Sequence, residues 1–116
     1  MSETLTYESF LKEIEKIPVF ESRIDDPDMK EFVVQSDSIM PLHLVFQVFF
    51  GDNFKAPGAP STLEDKKRSA LWGGVRQYQT LYYIDQEECS SCAMLWPWRD
   101  GTRCTVKIVR WKHKSL

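Results

Sequence analysis

Residues 90–112 read SSCAMLWPWRDGTRCTVKIVRWK, and this stretch decides the fold. It contains two strand-like segments, Ser90–Arg99 and Thr102–Lys112, which hold several of the aromatic residues that favour strands. The dipeptide Asp100-Gly101 lies between them and predicts a two-residue turn of the primed type, in which both central residues have positive φ. The stretch therefore predicts an antiparallel hairpin.

The loop length determines which residues of the hairpin face each other. A two-residue loop pairs Arg99 with Thr102, and the register then continues through Pro97–Cys104, Leu95–Val106 and Cys92–Val109. Side chains alternate between the faces of a strand. One face, which we expect to form the core, carries Ala93, Leu95, Pro97, Cys104, Val106 and Ile108. The other face carries Met94, Trp96, Trp98, Arg103, Thr105, Lys107, Val109 and Trp111.

This second face is too aromatic to be simply solvated and too basic to be simply buried. One interpretation is that a helix covers it while the Lys and Arg side chains extend outward to solvent. A second is an exposed protein-binding patch, since Trp, Met and Arg are enriched in interfaces. A third is a nucleic-acid surface on which Trp96 or Trp98 stacks bases, with Arg99, Arg103 and Lys107 contacting phosphates. The candidate binding residues are Trp96, Trp98, Arg103, Lys107 and Trp111.

The first forty residues predict one helix and one strand. Hydrophobic residues at helical spacing predict an amphipathic helix over Tyr7–Ile17, with Thr6 as its N-cap and Pro18 as its stop. The charged segment Glu21–Lys30 indicates a surface loop. A short β-like run follows at Glu31–Ser38.

The middle of the chain predicts two further helices. Leu42–Phe50 is apolar nearly all round, which is typical of a helix buried on most sides. A buried strand is the competing interpretation, but Pro41, which suits a first helical turn, and the absence of alternation favour a helix. A capping-box pattern starting at Ser61 predicts a third helix over Thr62–Trp72, and Val75–Ile84 is strand-like. The expected fold class is α+β, with N-terminal helices packed on a mainly antiparallel sheet and a C-terminal three-stranded meander.

Length and composition narrow the class of protein. A chain of 116 residues, 42% of them hydrophobic, predicts a single α+β domain spanning residues 1–116. No apolar run approaches the ~18–20 residues that span a bilayer, and the N-terminus does not resemble a secretory signal. Three cysteines, an odd count, fit a reducing compartment, so we expect a cytoplasmic protein.

Charge is distributed unevenly along the chain, although the net charge is only −2. Residues 1–31 carry nine acidic and four basic side chains, whereas residues 99–116 carry six basic and one acidic. Either the acidic part lies over the basic strand and neutralises it within the fold, or the basic end faces an anionic partner. The sequence alone does not separate these two explanations.

The cysteines raise the question of a zinc site. Cys89, Cys92 and Cys104 with His113 contain pieces that zinc ribbons use. In the predicted register, however, Cys92 and Cys104 project from opposite faces of the sheet and cannot share a metal. We therefore expect ordinary thiols, no metal and no cofactor.

Catalytic residues have little support in the sequence. The two histidines are His43, on an apolar helix, and His113, near the C-terminus. A histidine on such a helix is more often a hydrogen-bonded core residue than a catalyst, and no orienting neighbour is evident. We expect a protein that is not an enzyme.

One segment resembles a known family. Residues 39–53, IMPLHLVFQVFFGDN, are similar in hydrophobic pattern to the first strand-to-helix segment of the VASt sterol-transfer domains, which have a START-like fold. The resemblance implies a carrier of lipid or another apolar small molecule. In it, Phe46, Phe49, Tyr82 and Trp96 would line an apolar pocket.

These observations favour a small cytoplasmic binding module such as an adaptor, an inhibitor or a subunit of a complex. Its partner is expected to be another protein, held by the aromatic and basic face of the C-terminal hairpin. Nucleic-acid binding by the same face and START-like lipid binding are the two alternatives.

Overall fold

The computed structural model describes residues 6–51, 54–55, 58–60, 62, 79–86 and 89–112. Within these ranges the elements are α1 (Tyr7–Glu15), β1 (Glu21–Asp26), β2 (Met29–Gln35), α2 (Ile39–Phe50), β3 (Phe54–Lys55), β4 (Thr80–Asp85), β5 (Cys89–Pro97) and β6 (Arg103–Lys112). A 3₁₀ turn over Ser36–Ser38 leads into α2. The α+β class is confirmed. The predicted third helix lies outside the described residues except for Thr62, and so do residues 75–78 of the predicted strand.

The strands form one antiparallel sheet in the order β1-β2-β6-β5-β4-β3. The last three strands are neighbours in chain order, which confirms the predicted meander. The register of β5 with β6 is the predicted one and includes Pro97–Cys104, Leu95–Val106 and Cys92–Val109. On its other side β6 pairs with β2, so the C-terminal strand lies inside the sheet between the meander and the N-terminal hairpin.

The turn between β5 and β6 is not of the predicted type. The loop spans four residues, because Trp98 and Arg103 are the last hydrogen-bonded pair and Gly101 N–H donates to the Trp98 carbonyl at 3.0 Å. Gly101 has a φ of +75°, whereas Asp100 does not adopt positive φ. Asp100 instead accepts hydrogen bonds from the Thr102 amide at 3.0 Å and hydroxyl at 2.7 Å. A two-residue loop and a four-residue loop that are both centred between Asp100 and Gly101 give the same register. The predicted pairing is therefore correct, although the predicted turn type is wrong.

Helix α1 begins where its sequence indicates. The Thr6 hydroxyl accepts a hydrogen bond from the Ser9 amide at 3.1 Å, which satisfies one of the free N–H groups of the first turn. Tyr7, Phe10 and Ile14 form its buried stripe. The helical residues end at Glu15, three residues before Pro18.

The prediction of a surface loop over Glu21–Lys30 is wrong for most of that segment. It forms β1 and the start of β2, which pair as a hairpin with a bulge between Ser22 and Ile24. Nearly every β1 side chain is exposed, so the segment lacks the apolar alternation by which strands are recognised. Charged side chains and a bulge are the features that protect an edge strand from unwanted pairing.

The main core lies between helices α1 and α2 and one face of the sheet, which we call the inner face. It contains the predicted core residues Ala93, Leu95, Cys104, Val106 and Ile108. Pro97, placed on the same face, is exposed at the end of β5. A cluster of aromatic rings joins the helices to each other and to β4, and its members are Tyr7, Phe10, Phe46, Phe49, Phe50 and Tyr82. Phe10 is at its centre, stacked on Phe49 with ring centroids 4.5 Å apart.

Helix α2 is less buried than its composition predicts. Leu42, Phe46, Phe49 and Phe50 face the core. On the opposite side Met40, Leu44 and Val48 are exposed, at 66%, 59% and 58% of their surface. The prediction of a helix buried on most sides is therefore wrong, because among the described residues only one face of α2 packs against other elements. Within the described ranges, no helix has the length and apolar character needed to cross a bilayer.

Removing the ring at the centre of the aromatic cluster tests how α1 is held. We expect Phe10→Ala to lower the free energy of unfolding by about 3–5 kcal/mol, because a fully buried ring is lost and a cavity remains. Lys12→Ala, at an exposed position of the same helix, is the matched control and should change it by less than about 0.5 kcal/mol. Urea unfolding measures both. Equal small effects would show that α1 does not pack as described.

Candidate functional site

The predicted binding residues all lie on the second face of the sheet, which we call the outer face. Trp96, Trp98, Arg103, Lys107 and Trp111 are each half-buried. The centre of this face is interior, since Leu81, Cys92, Met94 and Val109 are each 0% exposed. The predicted residues therefore surround a buried centre and do not form one open platform.

The ammonium group of Lys107 is paired with a carboxylate of the same fold. Its ammonium lies 3.6 Å from the Glu31 carboxylate and 5.9 Å from the centre of the Trp96 ring. Glu31 is directly opposite Lys107 in the β2–β6 register and is also 3.9 Å from Arg23. The carboxylate compensates the charge of Lys107, so this part of the outer face has little cationic character of its own.

Arg103 has a different environment, at the end of the sheet next to the β5–β6 turn. Its guanidinium carbon lies 3.8 Å above the centre of the Phe20 ring and 5.5 Å from the centre of the Trp98 ring. The indole N–H of Trp98 donates to the Thr105 hydroxyl at 2.9 Å, which fixes the ring. We call Phe20, Arg103 and Trp98 the arginine stack.

The backbone holds Phe20 in place although its side chain is 49% exposed. The Phe20 amide donates to the Val33 carbonyl of β2 at 2.8 Å, so the ring lies at the start of the edge hairpin. Beside it, Val19 is 45% exposed. An open cleft of about 290 Å³ adjoins these residues and is lined by Pro18, Val19, Phe20, Gln35, Asp37 and Ser38.

Sequence reasoning found two members of the arginine stack and missed the third. Trp98 and Arg103 were placed on one face by the hairpin register. Phe20 was not assigned, because it falls between the predicted helix and a segment interpreted as a loop. The signal that was present is the apolar pair Val19-Phe20 between a helix-ending Pro18 and a charged strand.

His43 joins α2 to the sheet. Its Nδ1 atom lies 2.6 Å from the Tyr82 hydroxyl, in a hydrogen bond between the helix and β4. Burial lowers the pKa of His43 and raises the pKa of Tyr82 to about 12. Both groups are therefore neutral near pH 7. The sequence predicted a hydrogen-bonded histidine at this position, and the contact with Tyr82 is that hydrogen bond.

The cysteines lie where the register placed them. Cys104 packs in the inner core and Cys92 on the outer face. Burial raises the pKa of the Cys104 thiol to about 12, so it stays protonated at neutral pH. Among the described residues, no group of three or more His, Cys, Asp or Glu side chains is placed to hold a metal ion.

Three of the four residues suggested for a lipid pocket lie together, but they are packed within one core cluster, and the fourth is apart from them. Phe46, Phe49 and Tyr82 pack against other rings in the inner core, each no more than 2% exposed. Trp96 lies on the outer face, on the other side of the sheet. These four residues therefore do not line a common cavity.

Comparisons with known proteins give no relative. No family model matches the chain, and no curated protein or solved structure shows significant similarity to it.

The environment of His43 predicts a pH dependence of stability. Because the pKa of His43 is lower in the folded protein than its ordinary value, the unfolded chain takes up a proton first as the pH falls. The His43 contribution is fully present above the unfolded value of about 6.5 and is lost as the pH falls through the folded value. Urea midpoints measured between about pH 7.5 and 5 should decline.

The matched variant is His43→Gln, which keeps a hydrogen-bonding side chain near Tyr82 but does not titrate. Its stability should decline less over the same pH range than that of the parent chain. Parallel curves for the two proteins would show that folding does not lower the pKa of His43.

Proposed function

We propose that this protein is a protein-binding module whose contact surface is centred on the arginine stack. It would act as an adaptor, an inhibitor or a subunit of a larger complex. The observation that supports it most is an arginine held between two aromatic rings, one of them half exposed, beside an open cleft. No catalytic step is part of the proposal.

The arginine stack consists of residue types that are common at the centre of protein–protein interfaces. Trp and Arg are the residues most often found to dominate binding energy, and aromatic side chains are enriched where partners meet. Phe20 and Val19 add exposed apolar surface next to the guanidinium. A partner that covers them would remove apolar area from water, which is the main favourable term in association.

The side chains of the stack are already ordered in the free protein. Trp98 is fixed by its hydrogen bond to Thr105, and Arg103 by its two rings. Holding a flexible side chain in its bound position costs about 0.5–1.5 kcal/mol on association, so an ordered arginine avoids part of that cost. The guanidinium edges can then donate to carbonyl or carboxylate oxygens of a partner.

The surroundings favour a protein partner over a nucleic acid. Lys107, one of the predicted phosphate contacts, is paired with Glu31. Asp37 lines the cleft beside the stack and would repel a phosphate backbone. Among the described residues the outer face therefore offers few unpaired cations, whereas nucleic-acid binding depends on neutralising several phosphates.

We place this module in the cytoplasm. Cys89, Cys92 and Cys104 form no disulfide with one another. Cysteines without disulfides suit the reducing conditions of that compartment, in which disulfides are rare.

Arg103→Ala tests the proposed surface. We expect a protein partner captured from the native cell by the tagged chain to be reduced at least about tenfold, since central interface residues often contribute ~2 kcal/mol. Arg99→Ala is the matched control, because Arg99 is exposed in the neighbouring turn and outside the stack, and it should retain the partner. Quantitative mass spectrometry of the captured material measures both.

Thermal unfolding of the two variants separates binding from folding. The proposal would be contradicted if Arg103→Ala and Arg99→Ala reduced the captured partner equally. It would also be contradicted if Arg103→Ala reduced the partner only in proportion to the fraction of the variant that is unfolded. Capture of nucleic acid in place of protein, weakened steeply by added salt through counterion release, would select the alternative.

A further inference from the structure

Arg103 carries a charge that the described part of the fold does not neutralise. Its guanidinium is half-buried against the Phe20 and Trp98 rings, but among the described residues it forms no ion pair and no hydrogen bond. The carboxylate nearest to it along the chain, Asp100, accepts instead from the amide and the hydroxyl of Thr102. Charged groups that are partly withdrawn from water normally have a counter-ion. The N–H groups of Arg103 are therefore available to an anionic group of a partner.

The open cleft beside the arginine stack adjoins this guanidinium on two sides. Phe20, one of the residues that line the cleft, packs under Arg103. Gln35, another lining residue, is directly opposite Arg103 in the β2–β6 register. A ligand that occupies the cleft can therefore also reach the guanidinium.

Ser38 supplies the cleft with an unpartnered polar group. The residue is only 8% exposed, lines the cleft and directly precedes α2. Its side chain makes no capping hydrogen bond to the helix and has no other hydrogen-bond partner among the described residues. Most buried polar side chains have a partner, so the Ser38 hydroxyl is an independent sign that the cleft receives a ligand.

Asp37 limits the negative charge that the cleft accepts. It is exposed, lines the cleft and forms no ion pair among the described residues. One unpaired guanidinium suits one carboxylate, whereas Asp37 would repel a second carboxylate or the double charge of a phosphate group. The other walls, Pro18, Val19 and Phe20, are apolar and suit an apolar side chain.

We propose that the cleft and Arg103 together bind a peptide segment of the partner in which a single Asp or Glu lies next to an apolar residue. The carboxylate accepts hydrogen bonds from the guanidinium, in the bidentate geometry that arginine favours. The apolar side chain packs on Val19 and Phe20. The Ser38 hydroxyl and the Gln35 amide bond to the main chain of the segment.

The carboxylate is assigned to a side chain and not to a chain terminus, because an open cleft leaves room for the segment to continue. This inference rests on the proposed function, since it names the chemistry of the partner at the same surface.

Selection from a library of random heptapeptides displayed on phage tests the proposal. The immobilised parent chain should enrich peptides that contain Asp or Glu beside an apolar residue. A synthetic peptide from this set should lose about tenfold in affinity when its acidic residue is replaced by the corresponding amide. Arg103→Ala should weaken the acidic peptide by a similar factor and leave the affinity of the amide peptide nearly unchanged. Isothermal titration calorimetry measures these affinities.

Ser38→Ala separates binding from folding. Because the Ser38 hydroxyl has no partner in the described part of the free protein, its removal should leave the urea midpoint unchanged. It should weaken the selected peptide about three- to tenfold, the value of one hydrogen bond. Ser36→Ala is the matched control, because Ser36 is exposed in the same turn and does not line the cleft, and it should keep the affinity of the parent chain.

Asp37→Asn tests the limit on negative charge. The parent chain should bind the selected peptide more weakly once its acidic residue is replaced by phosphoserine. In Asp37→Asn this difference should become smaller, because the repelling carboxylate is gone.

The inference would be overturned if the library yielded no peptide, or only peptides without an acidic residue. It would also be overturned if the acidic peptide and its amide bound equally well, a comparison that needs no variant of the protein. In each of these cases the proposed function stands as long as Arg103→Ala still releases the protein partner captured from the cell. If Arg103→Ala retains that partner, the proposed function itself is wrong, whatever peptides are selected.

Discussion

The pairing register of β5 with β6 is the constraint on which the rest of this structure depends. It directs Cys104, Val106 and Ile108 toward the helices and leaves Arg103 and Lys107 on the outer face. A slip of one residue would exchange the two sets and place two cations under the aromatic cluster. The same strand pairs with β2, so its register also determines which residues of the N-terminal hairpin enter the core.

The register was predictable because it depends on the centre of the loop and not on the turn type. Helix α1 was predictable for a similar reason, since its cap and apolar spacing are local. Strand β1 was not, because an edge strand of charged residues lacks alternation and forms only through its partner β2. The exposure of Leu44 and the position of Phe20 over Arg103 depend on how distant elements pack, which no local pattern records.

Acidic and basic side chains that are far apart along the chain lie close together in the fold. Arg110 of β6 donates to Asp28 at 2.8 Å and to Glu8 at 3.1 Å, and its guanidinium lies 4.2 Å above the Tyr7 ring. With the pairing of Lys107 and Glu31, these contacts support the first of the two explanations drawn from the sequence, neutralisation within the fold. Two cations of β6, Lys107 and Arg110, are thus structural partners of acidic residues in the N-terminal segment. Arg103, held between rings, is the cation on which the proposed interface is centred.

Proton NMR across the β5–β6 hairpin tests this account most directly. Because Trp98 and Arg103 form a hydrogen-bonded pair, Leu95 and Val106 form a non-hydrogen-bonded pair, whose backbones approach most closely. We predict a strong nuclear Overhauser effect between the Hα atoms of Leu95 and Val106, together with side-chain contacts between Arg103 and the Phe20 ring. An Hα contact of Leu95 with Thr105 or Lys107 in its place would show a shifted register, and the assignment of both faces would then be wrong.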